Sequence, residues 1–451
     1  MSIQTFVQAI KTCESTNGAG KKAIIRAALL DLSAEGRKLM YYAMNPYYTY
    51  GVKKFDRPKE YSPVDGELST IIDVLDQLRN RELTGTAARD NVTMLLSAFT
   101  KETAYYLERV IEKDLKAGFS PDTYNAVWPT DPVPTFNVML ADKCEDAEEF
   151  EKYVTFPCQA DWKYDGERNT SVVKSDGISH ISRSGLEAFH MNGLFDSELM
   201  DVHEYVKTKF GWDNYVLDSE RFASDWTDTM NAKKSGNNEA KSRIFLRAFF
   251  IMPLADWEAQ KTGITMRQNR KNIEDILEAL PHIKRITLSQ GREVKDYQDM
   301  TAYCDEVTTP GFDGQPKGHE GLILKDWDAT YAWDRTMAWC KVKKFYTADG
   351  IIISVAPGRP KSKYEKTTGR LNCVGYLENG EKFECGVGSG LKDWERDDVR
   401  DNPEKYLNGA VTIEIKYQET SKAKGKDIIS LRFPTVHRFR GRDDKIVNLE
   451  D

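Results

Sequence analysis

The chain has 451 residues, of which 40% are hydrophobic and 30% charged, with a formal net charge of −7. That length exceeds one ordinary hydrophobic core and implies two or three domains. The acidic balance argues against indiscriminate polyanion binding while leaving local basic grooves open, and no run approaches the ~18 apolar residues of a membrane span.

Met1-Ser2-Ile3-Gln4-Thr5-Phe6 lacks the basic and long apolar regions of a signal peptide, so the expected location is a cytoplasm. The seven cysteines, at 13, 144, 158, 304, 340, 373 and 385, are dispersed and contain no C-x-x-C pair. They read as reduced thiols and not as a disulfide framework or zinc cluster. The six histidines show no H-E-x-x-H spacing, which argues against a histidine-based zinc site.

Residues 1 to about 128 read as helical. Ile25, Ala28, Leu29 and Leu32 recur at i, i+3, i+4 and i+7, as do Ile71, Val74, Leu75 and Leu78. Leu107, Val110 and Ile111 begin a third apolar face, for which Gly118 is the expected C-terminal cap. Ser120-Pro121 offers an N-cap and first-turn proline for a short final helix. The plain account of these faces is core packing. Trp128-Pro-Thr-Asp-Pro-Val-Pro134 then marks a domain boundary.

From about 135 to 347 short strand-like runs alternate with helical ones. An acidic stretch, Asp142 to Glu151, leads to Asp161-Trp162-Lys163-Tyr164-Asp165-Gly166-Glu167-Arg168. A lysine amine, once deprotonated and held, can attack a phosphoryl centre. The glycine permits a tight turn beside a ligand, and the arginine can donate several hydrogen bonds to ribose or phosphate oxygens. A solvated surface turn would explain the same residues, so the later clusters must decide.

Ser171-Val172-Val173 is an expected strand. Ile181-Ser182-Arg183-Ser184-Gly185 places an arginine beside hydroxyls in a turn. Tyr215-Val216-Leu217 reads as a strand ending in Asp218-Ser219-Glu220, whose two carboxylates share a face and are hard-oxygen donors suited to Mg²⁺. Ile244-Phe245-Leu246 is another strand, Asn231 to Lys241 a surface loop, and Ile273, Ile276, Leu277 and Leu280 one face of a helix.

Glu320-Gly321-Leu-Ile-Leu-Lys325 flanks an apolar strand with a glutamate and a lysine. In Trp339-Cys340-Lys341-Val342-Lys343-Lys344, Lys341 and Lys343 share a strand face; two like charges there favour an anion such as a triphosphate, or mark an exposed edge. After Asp349-Gly350 short strands dominate: Ile351 to Val355, Val411 to Ile415 and Ile428 to Leu431, as a small β-barrel would require. Arg432-Phe433-Pro434 leads into Arg438-Phe-Arg440-Gly-Arg442-Asp-Asp444-Lys445, a basic run that could equally be solvated surface.

Taken in order, these clusters resemble the ATP-dependent DNA ligase family of covalent nucleotidyltransferases. The octet around Lys163 matches its nucleotide-attachment motif; Ser182-Arg183, Asp218 to Glu220, Glu320 to Lys325, Trp339 to Lys343 and Arg438 to Lys445 look like its later motifs. Leu83-Thr-Gly-Thr-Ala-Ala88, Asp114-Leu-Lys-Ala-Gly118 and Gly386-Val-Gly-Ser-Gly-Leu-Lys-Asp393 are similar to segments of T-even bacteriophage DNA ligases. The likeness implies a multidomain chain: an all-α DNA-binding domain over 1–130, an α+β nucleotidyltransferase domain over 131–348 and an OB-fold over 349–451. It also implies ATP as AMP donor, Mg²⁺ as cofactor, nicked double-stranded DNA as substrate, and a monomer in a cytoplasm, that of the host for a viral chain.

Carried over residue by residue, the resemblance implies that Lys163 is the nucleophile and that Asp161 accepts from the adenine amine. Arg168 would hold ribose, Phe249 would stack on adenine, and Lys325 would belong to the nucleotide site. Arg183 would bind the nick 5′-phosphate. Glu220 and Glu320 would position the metal, Lys341 and Lys343 would grip the α-phosphate, and Arg438 and Arg440, or Arg440 and Arg442, would orient pyrophosphate. Ser219 and Phe250 depart from the family pattern, which commonly has glycine and aspartate there. An RNA ligase or capping guanylyltransferase shares the lysine motif, and a catalytically inactive nucleic-acid-binding relative is the non-enzyme alternative. The helical N-terminal part and the R-F-P and D-D-K flanks favour DNA sealing. The last motif must approach for the first step and then withdraw, which places an expected hinge at Asp349-Gly350.

Overall fold

A computed structural model describes residues 2–16, 20–144, 146–223, 226–232, 238–315, 318–360, 362–422 and 428–440. The chain forms two compact units, Met1–Asn137 with Ile181–Ala188, and Val138–His180 with Phe189–Asp451. No helix among the described residues is long and apolar enough to cross a membrane.

The first unit contains the helices Ser2–Ser15, Lys21–Leu30, Ala34–Met44, Leu68–Arg79, Gly85–Ser97, Lys101–Ile111 and Pro121–Val127. Their apolar stripes meet in one core that includes Phe6, Ile10, Leu29, Leu39, Leu75 and Leu107. Each such side chain contributes roughly 1.5–3 kcal/mol when removed from water. Ser33 caps its helix by accepting from Gly36 N–H at 3.0 Å, and Thr100 accepts from Thr103 N–H at 3.3 Å. Pro121 occupies the first turn of its helix, where its missing N–H has no intrahelical partner to lose. Gly118 is not the expected cap. The helix ends at Ile111, and Gly118, at φ +69, turns the chain seven residues later.

The second unit contains two five-stranded sheets and one seven-stranded sheet. The first runs in the order Leu140–Lys143, Arg335–Lys343, Gly321–Lys325, Cys158–Trp162, Gly291–Val294. Direct partners in these ladders share a face, so one side presents Cys158, Ala160, Leu322, Leu324, Cys340 and Val342 to the helices Ala147–Tyr153 and Tyr297–Val307. The opposite side presents Asp161, Lys325, Trp339, Lys341 and Lys343. The second sheet has the order Gly177–Ser182, Glu167–Lys174, Tyr215–Phe222, Phe245–Pro253, Ile286–Leu288 and is backed by the helix Met266–Ala279. The expected surface loop from Asn231 contains a short helix, Asn238–Ser242; residues 233–237 lie outside the described ones.

The seven-stranded sheet runs Glu419–Lys422, Ile429–Arg432, Lys382–Val387, Thr368–Tyr376, Tyr346–Pro357, Thr412–Tyr417, Thr435–Arg440 and curls into a half-barrel consistent with an OB-fold. Its core holds Ile352, Leu371, Phe383, Ile413 and Ile415. The architecture is therefore the expected one: helical, then α+β, then curled β. Asp349-Gly350, however, is strand and not hinge. Asp349 pairs with Glu414, and Gly350 pairs with both Gly375 and Ile413.

Candidate active site

Three neighbouring strands end at the same place. Lys163 follows Cys158–Trp162; its N–H donates to Gly321 O at 2.8 Å, and Glu320 N–H donates back to Lys163 O at 3.0 Å. This ladder sets Glu320 beside Lys163, and their side chains form an ion pair. On the third strand Lys343 is the register partner of Gly321, which brings its Nζ to 3.1 Å from the same Glu320 Oε2. Burial alone would raise the Glu320 carboxyl, but the ammonium groups of Lys163 and Lys343 outweigh it and hold the carboxyl below the ordinary glutamate value. Asp165 lies close by, its carboxyl pushed up to about 6 by burial and by Glu320. In the sequence Asp165 has no mark of this role, because its nearness to Glu320 arises only when the two strands pair.

The second sheet supplies the opposite wall. Arg168 pairs with Asp218, with Nε to Oδ1 at 2.8 Å, and its Nη1 donates to Met139 O at 2.7 Å. Tyr331 donates to Asp218 Oδ2 at 2.6 Å and lies 3.0 Å from Arg168 Nη2. Asp218 thus neutralises Arg168, and of the two carboxylates at this strand end Glu220 is left facing Lys163. Burial pushes the Glu220 carboxyl up to about 7 against the pull of Lys163. Gly166 is required here for space: a Cβ would stand 2.6 Å from Arg221 O and 2.8 Å from Glu220 Cγ. Ser219 donates to Asn169 O at 2.9 Å, a bond that glycine would lack.

Two residues before Lys163, on the strand Cys158–Trp162, Asp161 is buried. Its Oδ2 is 2.6 Å from Lys325 Nζ, and its Oδ1 accepts from Gln159 Nε2 at 2.8 Å and lies 3.3 Å from Arg270 Nη1. Burial holds Lys325 below its ordinary lysine value despite that partner. Phe249 meets Trp339 edge-on at 5.6 Å between ring centroids, and the Arg168 guanidinium stands 4.9 Å from the Phe249 ring. Phe250 points away into the core against Tyr331, at 4.9 Å between centroids, so the missing aspartate leaves no gap. Gln159, Arg270 and Tyr331 carried no signal in the sequence, since their contacts exist only once distant segments pack.

Lys163, Glu320 and Lys343 are thus joined by ion pairs, Asp161, Lys325, Phe249 and Arg168 by a second series of contacts, and Glu220 feels the charges of both Lys163 and Arg168. Lys341 shares the face of Lys343, and its amine is held below the ordinary lysine value by burial and by Arg335, against the pull of Asp142. Arg183 is exposed in the segment Ile181–Ala188, which belongs to the helical unit. Arg438 and Arg440 pair with acids of the curled sheet: Arg438 Nε to Glu414 at 2.5 Å, and Arg440 to Glu414 at 2.8 Å and to Asp349 at 3.4 Å. Arg442, Asp444 and Lys445 lie outside the described residues. A cavity of about 740 Å³ opens beside Asp165 and Glu320, bounded also by Tyr417, Gln418 and Arg432. Of the clustered residues only Glu320 lines it.

The chain is similar to known proteins. The family described as ATP dependent DNA ligase domain matches residues 138–343. The DNA ligase of Enterobacteria phage T6 is 25% identical over 451 aligned residues, covering 89% of each chain, and that of Enterobacteria phage T4 is 25% identical over 453, again 89% of each. The solved structures Pmar-Lig_PreS3 and Pmar-Lig_Pre. superpose with TM-scores of 0.77 and 0.78 at 23% and 24% identity. They cover 96% and 97% of this chain and 99% of their own, and this likeness establishes the fold. A family match across every strand that bears the lysine cluster, joined to alignment with phage enzymes along nearly the whole length, shows that the chain belongs to the ATP-dependent DNA ligase family.

Proposed function

We propose that this enzyme seals nicks in duplex DNA and that Lys163 is the residue that carries AMP. The observation that supports the assignment most is the shared carboxylate, with Lys163 and Lys343 both on Glu320 and Glu220 across the cleft. In the first step the deprotonated Lys163 amine attacks the α-phosphorus of ATP, forming an N–P bond as pyrophosphate leaves. The 5′-phosphate at the nick then attacks that phosphorus, releasing Lys163 and leaving a DNA adenylate. Finally the 3′-hydroxyl attacks the 5′-phosphate and AMP departs.

Each step develops charge on phosphoryl oxygens, which positioned cations stabilise. Lys341 and Lys343 act on the α-phosphate, Arg168 on ribose, and Arg183 on the 5′-phosphate of the nick. Asp161, supported by Lys325, accepts from the adenine amine while Phe249 covers the ring. Arg438 and Arg440 orient the pyrophosphate. Residues 1–130 serve as the DNA-binding domain, 131–348 as the nucleotidyltransferase and 349–451 as the OB-fold, working as a monomer. The helical unit has a cleft of about 970 Å³ lined in part by Lys53, Arg81, Lys113 and Lys116, with Glu112 and Asp114 among them; the surplus of cations supports a phosphate-facing surface.

The donor set also fits Mg²⁺. Among the described residues no three acidic, histidine or cysteine side chains form a complete metal cage. Mg²⁺ is usually held by one or two carboxylates plus substrate phosphate oxygens, which is what Glu220, Glu320 and a bound ATP would offer. When bound there it would neutralise charge on the phosphoryl group.

Incubation with α-labelled ATP and Mg²⁺ should give a covalent adduct that is absent in Lys163→Ala. Nicked duplexes with DNA strands should be sealed and those with RNA strands should not. Labelling by GTP in place of ATP would instead assign the capping class.

A further inference from the structure

The strand Phe245–Pro253 carries a bulge. Across from it Asp218 pairs with Phe250 and Ser219 with Ala248, so Phe249 has no partner on that side. A bulge interrupts the ladder and re-aims the side chain it carries. Here one side chain holds the backbone of the bulged residue and of the residue two positions further on. Asn269 Oδ1 accepts from Ile251 N–H at 2.8 Å, and Asn269 Nδ2 donates to Phe249 O at 3.0 Å. Asn269 is 3% exposed and lies in the helix Met266–Ala279.

The next residue of that helix reaches the other sheet. Arg270 Nη1 lies 3.3 Å from Asp161 Oδ1, and its Nε is fixed 3.1 Å from Glu274. Consecutive helical residues point about 100° apart, so Asn269 and Arg270 can tie two different walls to one rigid element. One wall is the aromatic shelf; the other is the buried carboxylate. A carboxylate offers about four lone-pair sites. Gln159, Lys325 and Arg270 occupy three on Asp161, which leaves roughly one directed acceptor position.

We propose that Asn269 and Arg270 are positioning residues that set nucleobase selection, favouring the 6-amino purine of ATP over the 6-oxo purine of GTP. An acceptor fixed in place and aligned with the shelf receives the adenine amine, whereas it faces the guanine carbonyl oxygen as one acceptor against another. A carboxylate free to swing would accept from other donors on guanine. This inference rests on the assignment of Asp161 and Phe249 as the base contacts.

The test measures self-nucleotidylation of the full chain with ATP and with GTP, in the wild type and in Arg270→Gln, Arg270→Lys, Asn269→Ala and Asp161→Asn. Arg270→Gln and Asn269→Ala should each lower the ATP-to-GTP ratio of rate over KM by roughly tenfold, mainly through a higher KM for ATP. Arg270→Lys, which keeps the charge, should retain most of the ratio. A loss of rate equal for both nucleotides, with the ratio intact, would mean that the two residues serve folding alone and would overturn the inference. If Asp161→Asn leaves the ratio unchanged, the base-contact assignment itself fails. If only Asp161→Asn changes it, that assignment stands and this inference falls.

Discussion

Lys343 lies 3.1 Å from the Glu320 oxygen that also pairs with Lys163. One carboxylate therefore restrains two ammonium groups that would otherwise repel across the end of the sheet. Replacing it with a neutral amide removes the charge that holds both in register. Glu320→Gln should slow self-adenylation by about 10²-fold or more, the scale seen when one positioned electrostatic group is lost. Single-turnover labelling at saturating ATP reads this directly. A rate within threefold of wild type would show that Glu320 is a bystander.

The Arg168–Asp218 pair predicts a separation of stability from activity. Both groups are largely buried, and Tyr331 donates to the same carboxylate. Breaking a buried pair by removing one partner strands a charge at a cost of about 3–5 kcal/mol, whereas replacing both by apolar groups is often nearly neutral. Asp218→Leu alone should lower the denaturant midpoint strongly. Arg168→Met combined with Asp218→Leu should recover most of that loss and still fail to self-adenylate. Additive losses of stability would mean that the two residues do not act as a pair.

His180 gives a pH signature. It is fully buried, accepts or donates to Ser171 Oγ at 3.0 Å, and is pushed down to about 4 by burial. Asp196, on the helix Asp196–Phe210, pulls its value up, and His190 pulls it down, both more weakly than burial. The unfolded chain binds the proton near pH 6.5, so between about 4 and 6.5 only the unfolded state is protonated. Stability from this group is fully present above 6.5 and is lost as pH falls toward 4, by on the order of 3 kcal/mol in all. His180→Gln should flatten that part of the stability curve in urea titrations at pH 4.5 and 7. An unchanged slope would remove His180 as its source.

The chemistry-bearing ends of short apolar runs were legible in the sequence, because Lys163, Glu320 and Lys343 sit where a strand pattern stops and charge begins. Their common location follows once those runs are adjacent strands. What could not be read was whatever depends on irregularity or distant packing. The apolar run from Ile244 to Met252 gives no sign that Phe249 sits at a bulge, since period-2 patterning presumes an unbroken ladder. Asn269, Arg270 and Tyr331 look like ordinary helix and loop residues until the two sheets face each other. Gly118 and Asp349-Gly350 were read as punctuation because glycine commonly is; the helix had already ended before the first, and the second is paired on both edges.

That pairing also relocates the expected motion. A swing at Gly350 would break ladder bonds to two strands, whereas Lys344 and Phe345 lie unpaired between Arg335–Lys343 and Tyr346–Pro357. Arg438 and Arg440 pair with Glu414 and Asp349 in this conformation, so the proposed approach to the pyrophosphate would carry the whole curled sheet and not one strand. Arg438→Ala with Arg440→Ala should abolish self-adenylation by at least 10²-fold yet seal a pre-adenylated nick at close to the wild-type rate, because pyrophosphate is present only in the first step. Phe345→Pro, which restricts the connector, should impair both reactions. Equal loss of both steps in the arginine double variant would tie those side chains to DNA sealing itself and count against a pivot at Lys344-Phe345.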